Sequence, residues 1–421
     1  MKTLVLTVWI FINLILFGMF GYIFLLWSQH WHAVSQKQQI EAVGEEPFER
    51  PLVEYYNEDM KHFFDSFDKP RLEKRSKPPM LRIQKESVVK TPVATLNDSL
   101  SRVEAHKNAV ILRLRRVLYS ESNVFKFKAS NPYNVNYSGS YGTHQSSLSN
   151  LTLLCSLKQK LPFIKTLRKK DLTSNEELRE VLPEKNIFAS GKRYRKCAVV
   201  SNAGSLTNSN SGYFIDDHDL VLRFNHAPTD GFVDDVGMKT NIRIVNSKVA
   251  SDPKFEFLSS PRFRNVTILM WDPCNYTSSL EKWLDSPEHP FIKSYIKYRK
   301  LHPTGEAYIL DPRQLWTLYD YLQAHTSVRL RPNPPSSGLL GLSLLLPFCD
   351  KVNMFEFVPS VRLTEQCHYF EPHLDEHCTF GVWHPLAAEK FFMISINSAS
   401  DVATYQDGYV SISGFQTLKC N

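Results

Sequence analysis

His384 stands directly before Pro385. Proline suits the first turn of a helix and forces the residue before it to be extended. The run PLAAEKFF reads as that helix, with His384 at its N-cap and the imidazole free to project. A neutral imidazole, of ordinary pKa about 6.5, takes a proton from a hydroxyl near neutral pH. The positive end of a helix disfavours its charged form. A histidine before proline is also a common structural residue, so its neighbours must supply the argument. One neighbour is Asn333-Pro-Pro-Ser-Ser-Gly338, which leads into the apolar run LLGLSLLLPFC. The prolines exclude a helix before Ser336, and a serine cap there leaves a helix terminus open to a phosphate or carboxylate. A plain serine cap is the competing account.

Three asparagines complete the set. Asn202, Asn225 and Asn246 each close a short run of Val, Ile or Leu: Ala198–Ser201, Leu220–Phe224 and Ile242–Val245. Any one merely ends a strand; three within one stretch, with Gly204 beside the first, point to a pocket for a small molecule. Other clusters carry less. Asp217-His218-Asp219 is a DxD, a pattern that can hold a divalent ion against a diphosphate, but it abuts an apolar run where acids commonly cap turns. His368, His373 and His377 fit no zinc spacing and read as a surface loop, so no metal is expected.

The elements that must position these residues are legible in the same pattern. Continuous apolar runs separated by polar, glycine-bearing stretches read as buried parallel strands, and ligands bind where such strands end. Further strands are expected at Val266–Met270, Ala307–Leu310 and Val352–Phe357. Helices are expected at Leu280–Asp285, Phe291–Lys300 and Gln314–Ala324. The alternation predicts an α/β fold, one mostly parallel sheet flanked by helices, without internal repeats.

Ahead of this region the composition changes. Leu4 to Trp27 carries no charged residue and is long enough to span a membrane, with Trp27 and Trp31 at its far interface. It reads as an uncleaved signal-anchor: 1–3 cytosolic, 4–27 transmembrane, 28–150 a lumenal stem, 151–421 the catalytic domain. Within the stem, Val103–Leu118 has helical spacing and is expected to pack on the folded domain. Sequons stand at Asn97, Asn136, Asn150, Asn265 and Asn275, which indicate a lumenal chain and permit disulfides. Seven cysteines are an odd number, so at least one thiol stays free or pairs between chains, and spacing does not give the connectivity. The net charge of +7 is spread in scattered pairs, unlike the concentrated basic face of a nucleic-acid binder.

Taken in order, KCAVVSNAGSL…VLRFNHAPT…TNIRIVNS, NPPSSGLLGLSLLLPFCDKVNMFEF, HYFE and His384-x-x-x-x-Glu389 resemble the large, small, third and very small motifs of the animal sialyltransferases. WDP, YRKLHP and PNPPSSG look most like the β-galactoside α-2,6 branch. The resemblance implies a modified GT-A-like, Rossmann-like fold, CMP-sialic acid as nucleotide-sugar donor, and no required metal or other cofactor. It implies transfer to the 6-hydroxyl of terminal galactose or N-acetylgalactosamine on glycoprotein glycans in the Golgi, with no nucleic-acid partner. His384 would be the general base. Asn202, Asn225, Asn246, Ser336, Ser337, Gly338, Thr379, Trp383 and Lys390 would contact the nucleotide sugar. His368, Lys248 and Glu288 would lie on the acceptor side. His368 and Trp383 replace tyrosines and Lys248 a glutamine of this branch, departures that bear on which acceptor sugar is preferred. The implied disulfides are Cys197–Cys349, Cys367–Cys378 and Cys155–Cys420, with Cys274 unpaired. Rival readings are another linkage or acceptor, and a catalytically inactive lumenal protein that only binds a sugar nucleotide.

Overall fold

A computed structural model of the chain describes residues 93–121, 133–141 and 148–420, apart from Ser190, Glu376 and Val382. The apolar run Leu4–Trp27 and most of the expected stem lie outside the described residues. Among those described, no helix is long and apolar enough to cross a membrane.

Seven strands form one sheet: β1 (Tyr194–Val200), β2 (Leu220–Phe224), β3 (Ile242–Asn246), β4 (Thr267–Trp271), β5 (Ala307–Ile309), β6 (Cys349–Phe355) and β7 (Tyr409–Ser413). Their order is β5-β4-β3-β2-β1-β6-β7, all pairs parallel except β6 with β7. The first six agree with the expected runs to within a few residues at each end, save that β1 begins four residues earlier at Tyr194. The seventh was not foreseen. YVSIS alternates weakly and follows a polar turn, so its sequence carries no parallel-strand signature, and it pairs antiparallel at the edge.

The strands are buried on both faces, as helices on either side require. All of LVLRF in β2 is buried, including Arg223, whose guanidinium donates to the carbonyls of Lys239 and Val236 and to Thr240. Six helices matter here: α1 (Val93–Glu121), α2 (Asn150–Lys160), α3 (Phe291–Leu301), α4 (Arg313–Ala324), α5 (Ser337–Leu345) and α6 (Leu386–Ile396). The run SGLLGLSLL of α5 is apolar on every side, and such a helix is stable only when enclosed; Leu339 to Leu345 are all buried. The helix expected over Val103–Leu118 is longer than its periodic core and buries Val103, Val110 and Leu114. One compact unit spans Val89–Asn421, so it takes in residues that the sequence reading gave to the stem.

Topology decides where a site can lie. The chain leaves β1 toward β2–β5 on one side and returns to β6 on the other, so the sheet switches direction at the β1–β6 pair. Helices feeding away on opposite faces leave a crevice at the carboxyl ends of those two strands. Asn202 and Glu356 stand at these two ends. Disulfides join Cys155 to Cys420, Cys197 to Cys349 and Cys367 to Cys378, the pairs implied by the resemblance, and Cys274 is free and buried.

Candidate active site

The crevice at the switch point is a cleft of about 220 Å³. Its floor comes from the strand ends: Asn202 after β1, Asn225 after β2, and Glu356 and Phe357 after β6. Asn225 has φ 49°, a left-handed turn that asparagine tolerates, and its Oδ1 accepts the N–H of Asn246. Arg243 donates to the carbonyls of Asn225 and Ala227, fixing the same turn from below. Asn202 Oδ1 is buried without a hydrogen-bond partner, an arrangement that costs free energy until a ligand supplies a donor. Asn246 does not line the cleft. Its side chain accepts from Val249 N as the cap of Ser247–Ser251, so it supports Asn225 instead of facing a ligand.

One wall is the start of α5. Ser336 caps it, accepting from Leu339 N, and donates its own N–H and hydroxyl to Glu389 of α6. Ser337 and Gly338, the first two residues of the helix, line the cleft beside this cap. Gly338 is required by space: a Cβ there would come within 2.3 Å of Phe357 Cε2. Lys390 lines the cleft too, donating to Phe357 O at 2.9 Å with its ammonium 4.9 Å from that ring's centroid. Burial pulls its pKa down to about 8. The buried acid Glu389 next to it is pushed upward by the same cause.

Opposite stands His384. Its Nδ1 lies 2.8 Å from Pro334 O, and a carbonyl only accepts, so the proton sits on Nδ1 and Nε2 is left bare. Tyr133 OH donates to Nε2 at 3.3 Å. Burial lowers the ring's pKa to about 4. The helix starts one residue later than expected: Pro385 is the cap and Leu386 the first helical residue, because Pro385 has ψ 54°. Tyr133 and Trp271 flank the imidazole, with ring centroids at 5.6 and 6.4 Å from it. Trp271 Nε1 donates to Ser337 Oγ at 3.0 Å, joining this aromatic box to the α5 terminus.

Thr379 and His368 also line the cleft. Trp383 does not; it is exposed and touches the box through Tyr133, at 6.3 Å between centroids. His368 is held by Glu371, whose carboxylate lies 2.7 Å from its Nδ1 and 3.2 Å from His226 Nε2. Beyond Tyr133 a second hollow of about 520 Å³ is lined by Glu288, Trp283, Lys282 and Asn275. Burial, followed by the charge of Asp272, raises Glu288 to about 7, while the exposed Lys248 draws it back. Tyr133 lines this hollow together with Glu288 and also contacts His384.

The acidic pair lies elsewhere. Asp219 accepts from Arg195 N and Lys196 N, and Asp217 faces Lys196, at the amino ends of β1 and β2. This is the end of the sheet opposite the cleft. Among the described residues, no group of three or more His, Cys, Asp or Glu is arranged to hold a metal ion. Sequence reasoning missed Tyr133, Trp271 and Glu356. Tyr133 sits in a Pro- and Asn-rich stretch with no periodicity, and nothing in its spacing distinguished it. Trp271 and Glu356 were visible only as strand ends.

Residues 143–400 match glycosyltransferase family 29 (sialyltransferase). The chain is 43% identical over 239 residues to human beta-galactoside alpha-2,6-sialyltransferase 1, covering 57% of this chain and 59% of that protein. It is 42% identical over 226 residues to the rat beta-galactoside alpha-2,6-sialyltransferase 2, covering 54% and 43%. With the bovine beta-galactoside alpha-2,6-sialyltransferase 2 the figures are 37% over 288 residues, 66% and 57%. The chain spans about half the length of the curated relatives it matches. A solved mammalian sialyltransferase aligns at 20% identity with a TM-score of 0.40, over 60% of this chain and 96% of its own. On the family match, the chain belongs to glycosyltransferase family 29.

Proposed function

We propose that the cleft transfers sialic acid from CMP-sialic acid to the 6-hydroxyl of a terminal galactose or N-acetylgalactosamine on glycoprotein glycans, with inversion. The observation that carries this reading is the state of His384: its Nδ1 proton is committed to Pro334 O, its Nε2 accepts from Tyr133 OH, which an acceptor hydroxyl would have to displace, and the residue lines a cleft shared with the start of α5. In the step, the acceptor oxygen attacks C2 of the sialyl group as the bond from C2 to the phosphate oxygen breaks. The hydroxyl proton goes to Nε2, and the electron pair leaves with CMP. One displacement inverts the centre. Charge grows on the departing phosphate, and the amides of Ser337 and Gly338 with the Lys390 ammonium are disposed to meet it. Asn202 and Asn225 would hold the nucleotide, while Glu288 and the aromatic box would orient the acceptor sugar.

Asn246 and Trp383 act in this reading through their neighbours. We also propose that no divalent ion takes part: the leaving group carries one phosphate, and Asp219 accepts from backbone N–H groups while Asp217 faces Lys196 at the far end of the sheet. EDTA should then leave the rate unchanged. A modified GT-A-like fold and a type II Golgi membrane protein anchored through Leu4–Trp27 belong to the same reading. The deciding experiment incubates the protein with CMP-sialic acid and a small panel of disaccharides and determines the product linkage. An α-2,6 product is expected. A product of another linkage, or donor hydrolysis without transfer, overturns the proposal.

A further inference from the structure

We infer that helix α1, in the stretch that reads as a spacer, is a working part of the cleft: His106 and Arg113 brace two of its walls from behind. The inference rests on the function proposed above. Val103, His106, Val110 and Leu114 fall on one stripe of α1 and are all buried. His106 Nε2 lies 3.2 Å from the carbonyl of Pro359, a residue of the cleft wall. Burial keeps this ring below its ordinary pKa, so it is neutral and donates its one N–H to that carbonyl. The next residue, Ser360, donates to Glu356 at the end of β6, so the contact reaches the cleft floor.

The second brace is two turns further on. The Arg113 guanidinium lies 4.0 Å from the ring centroid of Phe380. Phe380 is buried and closes the single turn His377–Phe380, whose Cys378 and Thr379 line the cleft. That turn is held on its other side by the Cys367–Cys378 disulfide and by Asp375. With a cation on the face of Phe380, the wall is fixed from both directions. His106 and Arg113 touch no substrate in this account; they are positioning residues.

The test uses the full chain, with CMP as the probe in titration calorimetry and steady-state kinetics alongside. Arg113→Ala should weaken CMP binding and raise the KM for CMP-sialic acid together, by about fivefold, with kcat and acceptor KM unchanged. Arg113→Lys, which keeps the cation, should recover most of the loss. His106→Phe keeps the ring but not the N–H and should behave like Arg113→Ala, whereas His106→Gln should restore binding. Lys107→Ala, on the same helix, is the control: it breaks the 2.8 Å contact with Asp401, neither residue lines the cleft, and CMP affinity should stay as it was. Arg113→Ala and His106→Phe binding CMP within about twofold of the unaltered protein would overturn the brace. So would an equal loss in Lys107→Ala, since the effect would then be general loosening. An unaltered protein that neither binds CMP nor turns over sinks the functional reading instead, so the two failures are separable.

Discussion

His384 has its acceptor nitrogen chosen by its contact with Pro334 O and is kept neutral by burial. With its pKa near 4, the ring binds no proton at pH 6, whereas in the unfolded chain, near 6.5, it largely does. The unfolded state therefore takes up more protons between those values, and stability rises with pH across about 4 to 6.5, by at most about 3 kcal/mol. Chemical denaturation at pH 4.5 and 7 should show this difference, and His384→Phe should flatten it. The same shift predicts that the His384 limb of the kcat/KM profile falls near pH 4, with the ring unprotonated from neutral pH down to about 5. A limb near pH 7 would belong to Glu288 and should vanish in Glu288→Gln. His384→Ala should lower kcat by about 100-fold or more with CMP binding preserved, within the range a positioned base contributes. The proline after it drew attention to His384, and the neighbouring motifs gave that position its weight. Its partner Tyr133 could not be picked out, since a contact between positions 133 and 384 exists only after folding.

At the level of elements, the feature that organises the cleft is the clasp between α5 and α6. Glu389 accepts both the N–H and the hydroxyl of Ser336, so the cap of one helix is held by the first turn of the next. The clasp also sets the distance between the helix-terminal amides and His384, five residues before Glu389. Glu389→Ala strands a buried amide and hydroxyl at a cost of about 1 to 3 kcal/mol. We expect it to weaken CMP binding along with thermal stability, in contrast to His384→Ala, which should spare CMP binding. Gly338→Ala would test the same terminus by steric means: the added methyl meets Phe357 and should cost about 1 to 3 kcal/mol in unfolding free energy. The strands β1 to β6 and the helices between them could be read from apolar runs because burial on both faces suppresses polar residues. Strand β7 and the clasp could not, because an edge strand alternates weakly and a glutamate on a helix gives no sign of what it faces.

For the molecule as a whole, the sheet reversal and the disulfides answer different needs. The reversal at β1–β6 opens the crevice, and Cys197–Cys349 spans those two neighbouring strands, where hydrogen bonding already holds the chain. Cys155–Cys420 does something else. It ties α2 to the C-terminal residues across a sequence separation of 265, and Lys158 of the same helix donates to Phe415 O at 2.7 Å. A bond closing so long a loop restricts the unfolded chain most, typically by about 2 to 4 kcal/mol. Replacing both cysteines with serine should therefore lower Tm by several degrees in a scanning fluorescence measurement, with the cleft's affinity for CMP unchanged at 25 °C, since neither residue approaches it. Replacing Cys367 and Cys378 should do the reverse. Their loop is only 11 residues long, so the entropic effect is smaller, but it carries part of the cleft wall and CMP affinity should fall. The contrast between these two double variants separates cross-links that stabilise the fold from one that shapes the site.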